Sequence, residues 1–212
     1  MQKKNEILKL WPTFVGQFYN LEHVQIKKEL LAFFEDYRKK NPTRDAGENI
    51  NLYESSYDLH TSKNKEIEKV IRFMQLSVFD IYKEANEDFL KKRGKGKNYT
   101  VIVKNSWFII YDDGGFVAPH NHGDCSWSCV YYVQIGKNAN NKNGATFLQT
   151  PNLSKLHDGI GSESFGFKIL RVKPEEGKLV IWPSHIVHGS LPYVGNEKRI
   201  IISANFIINS KE

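Results

Sequence analysis

Two periodicities divide this chain. Val24, Lys27, Leu30, Leu31, Phe34 and Tyr37 recur at helical spacing, and Ile67, Val70, Ile71, Met74, Val78, Ile81 and Tyr82 repeat the pattern. From residue 99 onward the period changes to short β-rich runs, at 99–103, 106–111, 126–134, 145–149, 165–172, 178–182 and 199–208, separated by Gly, Pro, Asn and Asp clusters. Strands of that length and spacing close into a sandwich or barrel, and two amphipathic helices need a broad apolar surface to cover. The sequence therefore predicts a mainly β fold, with residues 1–98 as a helical support packed on the barrel within the same domain and 99–212 as the β core. The first helix should stop at Asn41-Pro42, because the residue before a proline is pushed out of the helical region. The second should start just after Thr61-Ser62 and end before the basic stretch at 91–97. The polar segment 41–59 reads as a connection or a short edge strand.

Composition narrows the class. A chain of 212 residues with 40% hydrophobic and 25% charged residues can build one substantial core, which excludes a disordered or disulfide-stapled scaffold. Its longest apolar stretches, at 107–111 and 200–202, fall far short of the roughly 18 residues of a membrane-spanning helix. No uninterrupted apolar signal core follows the N-terminus. Cys125 and Cys129 lie in one expected strand, where residues four apart are separated by about 13 Å, too far to bridge. Unbridged thiols suit a reducing compartment, so a cytoplasmic location is expected. The net charge of +6 comes largely from the run Lys91-Lys92-Arg93-Gly94-Lys95-Gly96-Lys97. Without interleaved aromatic residues this run reads as a solvated loop, so a nucleic-acid partner is compatible with the chain but not favoured. A homodimer is also compatible with it.

Four of the seven histidines fall in two clusters, His120 with His122 and His185 with His188. In extended chain, residues two apart share a face, so His120 and His122 can converge on one ion. Asp124 continues that parity, which leaves His122-x-Asp124 as a second register. A further histidine from a distant strand, with His188 ranked ahead of His185, would complete three ligands on one face of a metal. That arrangement leaves positions open for a bidentate cosubstrate and dioxygen, as in non-haem iron(II) oxygenases. On the last strand, Arg199, Ser203 and Asn205 share the face opposite Ile200, Ile202, Ala204, Phe206 and Ile208. An arginine opening such a strand can make a bidentate pair with a carboxylate. Ser128, Tyr131 and Tyr132 carry hydroxyls that could line the same pocket.

Pro119-His120-Asn121-His122, the strand Ser128-Cys129-Val130-Tyr131-Tyr132-Val133, the segment from Gly177 through Trp182-Pro183-Ser184 to His188, and Arg199 through Asn205 to Phe206 occur in order. Together they resemble the 2-oxoglutarate- and iron(II)-dependent oxygenases of the prolyl-hydroxylase-like superfamily, within a microbial and phage subgroup marked by a Pro-His-x-His motif. The resemblance spans about residues 105 to 208. Cys129 stands where the subgroup has glycine and Gly123 where it has proline.

The resemblance implies a double-stranded β-helix, or jelly roll, with the helices buttressing the larger sheet. It implies iron(II) held by His120, His122 and His188, and 2-oxoglutarate as cosubstrate with Arg199 on its C5 carboxylate. Ser128, Tyr131, Ser203 and Asn205 are expected around that cosubstrate. The implied reaction is hydroxylation of a C–H bond of an unidentified small molecule or protein side chain with O2, releasing succinate and CO2. Substrate contacts are expected from 41–59 and 153–164. The residues alone leave two other classes open, a three-histidine cupin-like metalloenzyme without 2-oxoglutarate and a non-catalytic jelly-roll binding module.

Overall fold

A computed structural model describes residues 12–42, 50–92, 98–151 and 169–211. The expected loop 153–164, positions 93–97 of the basic run, and parts of the 41–59 and 165–172 segments lie outside the described residues.

Among the described residues, nine strands form two antiparallel sheets. The larger holds, in order, β1 (Gly16–Tyr19), β7 (Lys178–Pro183), β4 (Trp127–Gln134), β9 (Arg199–Lys211), β3 (Asn98–Phe116) and β2 (Ile50–Glu54). The smaller orders β6 (Ile169–Val172), β5 (Thr146–Gln149) and β8 (His188–Ser190). This is the double-stranded β-helix architecture. The runs expected at 99–103 and 106–111 form one strand with a register shift between Val103 and Asn105. β1 and β8 carry too few residues to show a period and were not anticipated.

Alternation along the central strands creates two cores. On β9, Ile200, Ile202, Ala204 and Phe206 join Phe108 and Ile110 of β3, Tyr131 and Val133 of β4, and Leu179 and Ile181 of β7 in a cluster on the outer face. Two helices cover it, α1 (His23–Lys40) and α2 (Lys65–Ala85). Their buried residues Ile26, Leu30 and Phe34, and Ile67, Val70, Met74, Val78 and Ile81, lie in that cluster. Val24 departs from the expected stripe and is exposed, because the buried face of α1 passes through His23 and Ile26. α1 ends against Asn41 as Pro42 requires. α2 begins at Lys65, where the Asn64 side chain accepts from the backbone N–H of Glu66 and Ile67, satisfying two otherwise orphaned donors.

The opposite parity builds the inner core. Trp107, Ile109 and Tyr111 of β3, Val130 and Tyr132 of β4, Val180 and Trp182 of β7, and Ile201 of β9 face Leu148 and Val172 of the smaller sheet. The turn from β6 into β7 closes at Gly177, whose φ of 78° suits glycine; a Cβ there would also approach the His23 Cβ to 2.9 Å. No described helix is long and apolar enough to cross a membrane.

Candidate metal centre and its cavity

His120 and His188 meet through the backbone. Each donates its N–H to the other's carbonyl at 2.9 Å, joining the loop after β3 to the start of β8. His122 is fixed by its N–H, which donates to the Ser184 carbonyl at 3.0 Å. The three side chains offer nitrogens that all lie within 4.8 Å of one another. Among the described residues this is the group able to hold a metal ion.

Hydrogen bonding sets two of the tautomers. The His120 and His188 Nδ1 atoms lie 2.8 Å and 2.9 Å from the carbonyl oxygens of Ala118 and Ile186, which only accept. Each Nδ1 therefore carries the proton, and each Nε2 presents a lone pair. The Trp182 indole nitrogen, 3.3 Å from the His188 Nδ1, then faces a donor and is a ring contact. Burial, reinforced by His120, pushes His188 down to about 3; the same causes, opposed by Asp124, push His122 down to about 4. Both are neutral near pH 7, the form that ligates metal.

The other metal candidates stand apart. Asp124 is exposed and ion-paired with Lys104, which also donates to its carbonyl at 2.8 Å and holds the carboxyl below its usual range. The side chains that the fold gathers with His188 are thus His120 and His122. His185 is exposed on the turn before β8.

The cluster borders a cavity of about 580 Å³, lined by inward residues of β3, β4, β7 and β9 and by Thr146, Gly189 and Ser190 of the smaller sheet. Ser128, Ser203 and Asn205 line it. Tyr131 does not. Ser128, Val130 and Tyr132 share the inward parity of β4, so Tyr131 points to the helices and bonds His23 Nδ1 at 2.8 Å and Asn20 at 3.3 Å. Tyr132 takes the inward position, donating its hydroxyl to Thr146 Oγ1 at 2.8 Å.

Arg199 is fully buried, with its Cζ 4.1 Å from the Tyr111 ring centre and 5.7 Å from that of Tyr132. Neither ring accepts its N–H groups in a hydrogen bond, and none of its three nitrogens has a partner among the described residues. A buried guanidinium left in this state is costly and calls for an acceptor, and a carboxylate matches its fork. Tyr111, Thr146, Trp107, Asn105 and Trp182 were absent from the sequence-derived site. Tyr111 and Trp107 were recoverable from strand pairing, since they sit directly opposite Arg199 and Ser203; Thr146 comes from another sheet and gave no local signal.

Residues 105–205 match a family model described as "Putative 2OG-Fe(II) oxygenase". No curated protein sequence matches the chain. A prolyl-4-hydroxylase from Pseudomonas putida superposes with a TM-score of 0.58 at 15% identity, covering 91% of each chain. A prolyl hydroxylase from Trichoplax adhaerens, in complex with a hypoxia inducible factor peptide fragment, gives 0.59 at 12% identity over 91% of this chain and 83% of that one. HygX from Streptomyces hygroscopicus, with nickel and 2-oxoglutarate bound, gives 0.58 at 9% identity over 92% and 82%. At these identities the likeness is one of fold.

Proposed function

Because residues 105–205 match the model of a 2OG-Fe(II) oxygenase family, we propose that His120, His122 and His188 hold iron(II) through ring nitrogens and that Arg199 receives the C5 carboxylate of 2-oxoglutarate. The observation that carries this reading is the buried guanidinium without an acceptor, packed on the Tyr111 ring, which lines the same cavity as the three clustered imidazoles. The donor set fits the ion, since His122 and His188 are held neutral. When bound, iron(II) and 2-oxoglutarate supply an oxidant from O2, with release of succinate and CO2.

The chain's own residues do the rest. Arg199 binds and orients one end of the cosubstrate through charge-assisted hydrogen bonds, and Tyr111 and Tyr132 hold the guanidinium in place. Thr146, whose oxygen accepts from Tyr132, has its own proton free for the same carboxylate. Trp182, Val130 and Ile201 keep the intervening wall apolar and exclude water. The expected product is a hydroxylated C–H bond of a small molecule or a protein side chain. Neighbours in fold were captured with a peptide fragment and with hygromycin B, so both classes stay in this proposal. Neither the nucleic-acid partner nor the homodimer has support, and neither enters it. The free thiols of Cys125 and Cys129 support a cytoplasmic location.

The test is succinate formation from 2-oxoglutarate by the iron(II)-loaded protein. Turnover abolished by chelation and by His188→Ala is the expected result; succinate formed equally well by His188→Ala would overturn the ligand assignment.

A further inference from the structure

The cavity has a polar end that the cosubstrate reading leaves unused. Strand pairing aligns Ser128, Asn205 and Asn105 in one row across β4, β9 and β3, with Trp107 opposite Ser203 in the next. Asn205 is six positions beyond Arg199 on β9, about 20 Å along the strand, far longer than a five-carbon diacid. The row lies beside the metal centre instead, since the Trp107 ring is 6.1 Å from that of His122.

A chain of hydrogen bonds fixes the orientation of Asn205. Ser128 Oγ is 2.7 Å from Asn205 Oδ1, which only accepts, so the Ser128 proton goes there. Ser184 Oγ, 2.9 Å away, must then donate to Ser128, and it accepts in turn from the Cys125 thiol at 3.0 Å. With Oδ1 committed, Asn205 turns its Nδ2 donors away from Ser128, and no described residue accepts from them. Across the strand pair, Asn105 Oδ1 is a buried acceptor with no partner, and the nearby Trp107 Nε1–H is a buried donor with none, in a side chain only 6% exposed. Unpaired buried polar atoms are uncommon in folded proteins, and three neighbouring cavity residues with uncommitted groups of both signs define a complement. A carboxylate would satisfy the donors and repel the Asn105 oxygen. A group offering an acceptor and a donor side by side satisfies both, and that group is an amide.

We propose that Asn105, Trp107 and Asn205 form the primary-substrate subsite and bind an amide of the substrate: its carbonyl oxygen accepts from Asn205 Nδ2 and Trp107 Nε1, and its N–H donates to Asn105 Oδ1. This rests on the metal and cosubstrate assignment above. The amide can belong to a peptide backbone or to a primary carboxamide, and the probes separate the two.

The experiment is a proton–nitrogen correlation titration of the full chain loaded with diamagnetic zinc and 2-oxoglutarate, using N-methylacetamide, propionamide or propionate. The Trp107 indole signal is assigned by its loss in Trp107→Phe. Expected is a saturable downfield shift of that signal and of the Asn205 side-chain amide with an amide probe, none with propionate, and binding about five- to tenfold weaker in Asn105→Leu. Stronger binding of N-methylacetamide assigns a backbone amide, and of propionamide a carboxamide. No saturable shift with either amide overturns the proposal, as does an equal response to propionate, or saturation of both signals by 2-oxoglutarate alone. The wild-type titration stands whether or not a variant folds. Binding of 2-oxoglutarate is read separately on the iron(II) protein, so its failure strikes the function reading and not the subsite.

Discussion

His120 and His188 exchange two backbone hydrogen bonds at 2.9 Å, so the pairing that ties the loop after β3 to the smaller sheet also brings two imidazoles together, with ring centres 4.3 Å apart and planes tilted by 52°. On the reading proposed above, the metal centre is assembled by the fold and does not wait for the ion. Loading the chelated protein with iron(II) or zinc should leave its far-ultraviolet circular dichroism unchanged. His188→Ala should keep the same spectrum and lose metal affinity by more than the roughly 10–100-fold that removal of an outer hydrogen-bond partner costs. A large gain of ordered structure on metal binding would contradict this.

Arg199 makes the protein without cosubstrate less stable than its packing allows, because a buried charge lacks a hydrogen-bonded partner. Arg199→Met should therefore melt no lower than wild type when 2-oxoglutarate is absent. Wild type should gain thermal stability on addition of metal and 2-oxoglutarate, and Arg199→Met should gain little from the cosubstrate. At about 1.5–3 kcal/mol for a hydrogen bond to a charged group, the KM for 2-oxoglutarate should rise by roughly 10- to 100-fold or more. Equal cosubstrate stabilisation in both proteins would remove Arg199 from the site.

Stability of the chelated protein should fall on mild acidification. His188 and His122 have pKa values lowered in the fold to about 3 and about 4, and His23 is also lowered by burial, whereas the unfolded chain protonates near 6.5. The unfolded state thus binds more protons, and stability is full above pH 6.5 and declines as pH falls toward the folded values. His188 alone contributes about 2 kcal/mol of loss between pH 6.5 and pH 5. The lowered carboxylates Asp112, Asp124 and Glu175 start from ordinary values of 3.8 to 4.5 and act mainly below this window. Melting temperatures across pH 7.5 to 5 check it, and a flat or rising profile would contradict it.

Met74 is fully buried where α2 meets the sheet. Met74→Ala should cost about 2–5 kcal/mol in denaturant unfolding, and Asn64→Ala at the helix cap about 1 kcal/mol. Metal affinity should be unchanged in both, since each lies on the sheet face away from the cavity. A loss of metal affinity in either variant would tie the helical layer to the site.

What the sequence reveals follows from where physical periodicity is strong. The α2 stripe from Ile67 to Tyr82 and the odd–even split of β9 are long enough to read directly, and they place the helices outside and Arg199, Ser203 and Asn205 inside. Adjacent tyrosines at 131 and 132 are ambiguous until parity is counted from Ser128, and that count selects Tyr132. Gly16–Tyr19 and His188–Ser190 are too short to carry a period, and Thr146 reaches the cavity through sheet packing that no local pattern encodes.

The most direct test is anaerobic titration of the iron(II)-loaded protein with 2-oxoglutarate, following the weak visible charge-transfer band of the chelate in wild type and Arg199→Ala. A band that saturates in wild type and needs much more 2-oxoglutarate in the variant is the predicted result. Iron bound by the three histidines with no such band at any 2-oxoglutarate concentration would contradict the account.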